Sequence, residues 1–321
     1  MPNALTGGAT GAAWDLLVEA AFDRAVEYYL RDEPQWRQLI DKRPVAQAMP
    51  GDTVTLTRHD TPMALATTPL TETVDVTSVA LPTPTRVQVT LNEYGNAAIT
   101  TLRLRELAFT KPDPESAELL GRNMYDTVDQ LIRAVADAGT NILFVNAGVM
   151  KTSGGALASV AATDLLLRNP ATAAVKLLQR AKVMPKDGNK YLAVVHSDTS
   201  YDLQAENSAT AWNAPHTVGG DTSAIYSGEI GTFQGARYIE TTRTNIQTGA
   251  GAAGANVYST YFFGRGALVE ASAVDFHTVV GPQTDLLRRF FPLGWYGMAG
   301  WGIYRPQALV TVKTGCSIAT L

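Results

Sequence analysis

A single cysteine, Cys316, stands in the whole chain, so no disulfide can form within it and no site built from several cysteines can hold zinc. Charge is scarce as well: charged residues make up 17% of the 321 positions, well below the usual quarter, while the hydrophobic share of 45% is ordinary. A surface short of charge is expected where much of it faces other subunits, although a Thr- and Ala-rich soluble protein would look the same by composition. The net charge is −4 and no basic run with interleaved aromatics occurs, which argues against a dedicated nucleic-acid binder. There is no charged-then-apolar leader and no apolar run long enough to span a bilayer, so a soluble protein of cytoplasmic origin, with no membrane partner, is expected.

Recognisable reaction chemistry is missing too. The 4 histidines, His59, His196, His216 and His277, are scattered, and no pair has the spacing of a metal motif. No G-x-S-x-G, P-loop or H-E-x-x-H pattern is present. His196-Ser197-Asp198 holds the residue types of a hydrolase triad, but adjacent residues do not assemble one. A capping or turn role for Ser197 and Asp198 is the expectation. Gly249-Ala-Gly251-Ala-Ala-Gly254 matches G-x-G-x-x-G literally. It lacks the strand before and the helix after that a dinucleotide site requires, so it reads as a flexible loop. No catalytic residue, cofactor or metal is expected.

What the chain does contain is a stretch that reads as strand without a core. From Gly51 to Leu91 it is rich in Thr and Val and carries Pro62, Pro69, Pro82 and Pro84. Asp52 to His59 and Arg86 to Leu91 alternate polar and apolar, as half-buried strands do. Met63 to Val74 between them offers too few side chains to offset the entropy of ordering it. A two-stranded arm of this kind needs a surface to lie on, and another copy of the chain is the natural one.

Helical patterns flank this stretch. Trp14, Leu17, Val18, Ala21, Phe22, Ala25, Tyr28 and Tyr29 form an apolar stripe over 14–30, stopped at Pro34, and Trp36, Leu39 and Ile40 continue a short apolar segment. A long helix is expected over 114–138, with Asp113 as its cap and Pro114 at its first position. Leu120, Met124, Val128, Leu131, Val135 and Ala138 form its stripe, Asp126, Asp129 and Asp137 its solvated face, and Gly139 a left-handed stop. Its span is about 36 Å. A further helical segment from Asp164 to Val183 is expected to be broken or kinked at Pro170. Lys190 to His196 reads as a buried strand. Ile230–Thr242, Val257–Phe263, Ala267–Ala271 and Ala308–Lys313 read as strands among Gly-rich turns, with Gly228 to Gly235 a tight turn and Arg265 exposed at another. Gly294 to Gly302, dense in aromatics, reads as close strand packing. The class is α+β, in blocks with no regular βαβ repeat.

Several segments in order resemble one family. They are Leu65-Ala-Thr-Thr-Pro-Leu-Thr-Glu-Thr-Val74, Leu91-Asn-Glu-Tyr-Gly95, His196-Ser-Asp-Thr-Ser-Tyr-Asp-Leu203, Gly228-Glu-Ile-Gly-Thr-Phe-Gln-Gly-Ala-Arg-Tyr-Ile-Glu-Thr241, and Asp285-Leu-Leu with Gly294-Trp295. Together they resemble the tailed-bacteriophage major capsid proteins of the Hong Kong 97-type fold, in the branch of the phage N4 major capsid protein. The resemblance implies an N-terminal arm (1–50), an extended β-hairpin loop (51–92) and a peripheral domain (93–162) with a spine helix at 114–138. It also implies an axial domain (163–280) and a return strand to the peripheral domain (281–321). It implies self-assembly as hexamers and pentamers into an icosahedral shell around double-stranded DNA, held without sequence-specific binding, in virions assembled in the host bacterial cytoplasm. A portal protein, a separate scaffolding protein and a decoration protein are the implied partners. Trp14, Phe22, Trp36, Arg58, Leu65, Leu70, Glu72, Arg86 and Arg265 are the expected subunit contacts. Some members join subunits through a lysine of the extended loop, and between Gly51 and Leu91 this chain has none; non-covalent contact is expected. An encapsulin-like compartment shell is one alternative, and a soluble nucleotide-binding enzyme is another.

Overall fold

The computed structural model of the chain describes residues 35–44, 51–60, 62–67, 69–70, 72–76, 78–107, 112–151, 155–206, 229–282 and 285–318. The helix expected over 14–30 lies outside them. Helices are α1 (Gln35–Leu39), α2 (Leu102–Leu107), α3 (Pro112–Asp137), α4 (Arg168–Arg180) and α5 (Ser197–Ala205). Strands in the first half are β1 (Asp41–Pro44), β2 (Thr53–Arg58), β3 (Thr85–Thr90), β4 (Asn92–Thr101), β5 (Ile142–Asn146) and β6 (Val149–Lys151). The second half adds β7 (Tyr191–Val195), β8 (Glu229–Phe233), β9 (Ala236–Glu240), β10 (Ile246–Gln247), β11 (Val257–Phe263), β12 (Leu268–Val280), β13 (Phe290–Ile303) and β14 (Leu309–Thr314).

Two sheets divide the body. One has four strands in the order β1-β12-β13-β4; the other has eight, ordered β6-β5-β14-β11-β7-β9-β8 with β10 beside β11. Every residue of β7, β11 and β14 is buried, because side chains on both faces of these central strands meet other apolar groups. β2 and β3 pair only with each other, Thr53 opposite Thr90 through Arg58 opposite Thr85.

The long helix α3 touches both cores. Ala117, Leu120 and Met124 pack with Leu293 and Trp295 of the four-stranded sheet. Val128, Ile132 and Ala136 join the core under the eight-stranded sheet. With 3.6 residues per turn, each step of four advances the buried face by about 40°, so a run of such steps winds from one core to the other. This overturns the second half of the expected stripe: Ile132 and Ala136 are its buried members, Leu131 and Val135 are half-buried, and Ala138 is exposed. It also overturns the solvated face at one position, since Asp129 is only 2% exposed. The helix begins at Pro112, before the expected start, because a proline in the first turn has no amide to satisfy. Gly139 is not among the left-handed glycines. A Cβ there would come within 2.9 Å of Leu309 Cδ2, so close packing, rather than a positive φ, accounts for it.

Other boundaries moved for local reasons. Pro170 falls in the first turn of α4, whose cap is Leu167, so the helix is one piece from Arg168 to Arg180. Asp164 instead accepts the backbone amides of Ala147 (2.7 Å) and Ala161 (2.8 Å). The stretch 229–240 is two strands, joined at Gln234 (φ 49°) and Gly235 (φ 84°), the two positive φ values that a tight type I′ hairpin requires. The cap of α5 is His196, whose Nδ1 accepts the Asp198 amide at 3.1 Å. Strand β12 runs on from Ala271 to Val280 and hydrogen-bonds to β13, so a chain division at 280 falls between two paired strands. β14 lies between β11 and β5 in the eight-stranded sheet.

Candidate subunit-contact surface

The hairpin β2–β3 has a built seat. Val54 and Val89 sit opposite each other and are buried against Val269 and Ala271 of β12, with Leu56, Leu91 and Tyr304 at the margin. Under them β13 presents glycine. A Cβ at Gly300 would lie 2.2 Å from the Thr90 carbonyl oxygen, and one at Gly302 would lie 2.9 Å from Val89 Cγ2. Those two glycines let the hairpin backbone settle directly on the sheet. Tyr304 Oη donates to the Thr57 carbonyl at 3.0 Å, while the guanidinium of Arg58 lies over its ring and pairs with Asp60 at 2.7 Å. The aromatic-and-glycine run 294–302 is therefore strand packing, as expected: Gly297 accommodates the Phe276 ring, which stacks on Trp301 at 6.2 Å.

Beyond the seat the chain changes character. Among the described residues of 62–83, none is in a helix or strand, and all but Pro82 are exposed. Leu65 is 85% exposed, Leu70 76% and Leu81 81%. Burying one such leucine is worth about 2 kcal/mol, so the free subunit leaves a large apolar contribution unused. Between Arg58 and Arg86 the only formal charges are Asp60, Glu72 and Asp75.

Of the expected contacts, Leu65, Leu70, Glu72 and Arg86 are exposed on this hairpin and its span, and Arg58, at the end of β2, is half-buried. Arg265 is exposed in the turn between β11 and β12, apart from that group. Trp14 and Phe22 lie outside the described residues. Trp36 is a correction: it is fully buried, edge-on to Tyr261 at 5.0 Å between ring centres, because its large apolar ring joins the core of its own subunit.

Sequence reasoning missed a second exposed apolar cluster at the far end of the four-stranded sheet. Leu286 is fully exposed and Leu287 largely so in the β12–β13 connection, with Phe290 and Ile99 on the paired ends of β13 and β4 and Leu102 and Leu104 on α2 just after β4. The Leu102 amide bonds the Arg289 carbonyl at 2.8 Å, holding α2 to that end. The signal was present as Asp285-Leu-Leu-Arg-Arg-Phe-Phe, two leucines side by side in a turn. Arg289 pairs with Asp285 at 2.7 Å and holds that carboxyl below its ordinary range.

Elsewhere the geometry offers packing rather than reaction chemistry. Gly249 to Gly254 ends in a single 3-10 turn that leads into β11, with no helix whose N-terminus could hold a phosphate. His196 lies beside Tyr258, whose hydroxyl donates to Asp198 at 3.0 Å; burial, and then that carboxylate, push the phenol well above its ordinary value. Lys313 is buried and donates to Ser259 Oγ at 2.6 Å; burial lowers its pKa, opposed by Asp137, which accepts the Tyr261 hydroxyl. Among the described residues no group of three or more His, Cys, Asp or Glu could hold a metal, and no helix is long and apolar enough to cross a membrane.

Comparison with known proteins places this architecture. No curated protein matches the sequence. Solved structures share the fold at low identity. The capsid of Ralstonia phage GP4 is 14% identical with a TM-score of 0.66, over 87% of each chain. The capsid of cyanophage Pam1 is 15% identical with a TM-score of 0.62, over 90% of this chain and 93% of that one. The head of Helicobacter pylori bacteriophage KHP40 is 13% identical with a TM-score of 0.60, over 85% and 88%. At such identities the likeness speaks to the fold, which is of the Hong Kong 97 type. The family model described as "Phage capsid protein" matches residues 13–285, which include the hairpin, the strand β12 beneath it and the long helix. On that match the chain belongs to the phage capsid protein family.

Proposed function

We propose that the chain is the major capsid subunit of a tailed phage and that its copies, as hexamers and pentamers, close into an icosahedral shell around packaged double-stranded DNA. Membership of the capsid family makes it a self-associating structural protein of the virion. The observation that supports the finer reading is the span 62–83, which exposes Leu65, Leu70 and Leu81 on a hairpin fixed firmly at its base. Such a span acquires a core only when it lies on another copy. The cluster around Leu286 and Phe290 is a second contact surface, and Arg265 a third.

The absence of lysine from 51–91 leaves the hairpin to hold by burial and hydrogen bonds. The mild acidity suits a wall that confines DNA without reading its sequence. Assembly in the host bacterial cytoplasm, a separate scaffolding protein, a portal, a decoration protein and a place beside the phage N4 branch belong to the same proposal. So does the division into arm, extended loop, peripheral and axial domains, and the assignment of no catalytic role. An encapsulin-like compartment would share the fold; the phage family match favours the virion, and terminase and portal genes beside this one are the expected neighbours. Electron microscopy of the purified protein is the test, and closed shells are expected. A stable monomer whose 62–83 amides are protected from exchange would overturn the proposal.

A further inference from the structure

Asp129 sits where the segment 35–44 meets the long helix. Its Oδ1 accepts the backbone amide of Trp36 at 3.2 Å, and its Oδ2 accepts the Tyr125 hydroxyl at 3.2 Å. Arg243 Nη1 approaches Oδ2 to only 3.8 Å, because Arg243 Nη2 is engaged by Asp126 at 2.6 Å and its guanidinium lies over the Tyr125 ring at 4.0 Å. The carboxylate is thus buried under α1 with one displaced cation. The charged residue of α1, Arg37, points elsewhere, to Glu270 at 2.8 Å and Asp275 at 3.6 Å.

We propose that docking of segment 35–44 onto the long helix is coupled to uptake of a proton at Asp129, so that the segment opens more readily at neutral than at mildly acid pH. Two neutral-state hydrogen bonds survive protonation, since one carboxyl oxygen still accepts from Trp36 and the other can share a hydroxyl with Tyr125. The buried charge, by contrast, is relieved only by water or by the proton. Burial raises this carboxyl from 3.8 to about 6, against the downward pulls of Arg243, the Trp36 amide and Tyr125, and with a further push from Asp126. Lifting α1 returns it towards its ordinary value, so the docked state holds the proton more tightly. Docking is strongest below about pH 4, weakens as the pH rises to about 6, and levels off above that.

Other ties hold the same segment. Lys186 Nζ bonds Asp41 at 3.0 Å and the Leu39 carbonyl, and β1 pairs with β12. Burial lowers the Lys186 pKa, so the docked state holds that proton less tightly than the open one and docking strengthens as the lysine loses it on the alkaline side. Native-state hydrogen exchange of the 36–43 amides in the full-length subunit, corrected for intrinsic rates, reads the opening constant directly. Between pH 4 and 7 it should rise roughly tenfold to a hundredfold. Asp129→Asn, which mimics the protonated state, should abolish that rise and keep the acid-side protection. Arg243→Gln, which removes the opposing cation, should move the midpoint to higher pH. A flat wild-type profile, or one unchanged in both variants, would overturn the proposal.

Discussion

The base of the hairpin and the span it carries are both rich in Thr and Val and have opposite fates. Strands β2 and β3 bring Val54 and Val89 against β12, and the glycines of β13 let them approach. The span 62–83 also carries Thr, Val and Leu, with Pro62, Pro69 and Pro82 among them, yet nothing among the described residues covers it. The difference lies in the surface beneath each part. An apolar side chain contributes to folding where a partner surface fits it, and otherwise is held in reserve for assembly.

The sharpest way to break this contrast is to spoil the seat. Gly300→Val would drive a side chain into the Thr90 carbonyl, and a loss of about 3 kcal/mol in denaturant unfolding is expected, together with failure to assemble. Val89→Ala leaves the backbone contact but empties the seat, and should cost about 2 kcal/mol in the same measurement. Tyr304→Phe removes only the bond to the Thr57 carbonyl; a loss of about 1 kcal/mol is expected. At the other extreme, the Leu65→Ser, Leu70→Ser double variant should change subunit stability by less than about 0.5 kcal/mol. Its effect should appear in shell yield, measured by sedimentation, which falls sharply. If that variant destabilised the monomer as much as Val89→Ala, the contrast between base and span would be wrong.

Much of this was legible in the sequence. The alternation in 53–58 and 85–90, the coreless interval between them and the periodicity of the long helix are local patterns, and each is a strand, an exposed span or a helix in the structure. What escaped was set by distant partners. Glycine at 139, 300 and 302 carries no sign of which atom approaches it; only the fold brings Leu309, Thr90 and Val89 there. Asp129 reads as solvated because Asp126 and Arg133 share its helix face, and it is buried because α1 folds over it. The second half of β12 was hidden by register shifts between Ser272 and Val274 and between Val274 and His277, which break the alternation that marks a strand. Trp36 looked available because its covering partner, Tyr261, is far along the chain.

The winding of the buried face along α3 has a mechanical meaning. A shaft keyed at one end into the four-stranded sheet and at the other, on a different side, into the eight-stranded sheet transmits torque between them. Neither sheet can swivel about the shaft without shearing packed side chains such as Met124 or Ile132, so the body of the subunit behaves as one stiff tile. In a wall built from identical tiles at sites of unequal curvature, compliance must then come from parts without a keyed core. The hairpin span is such a part, and it would act as the flexible gasket of the assembly.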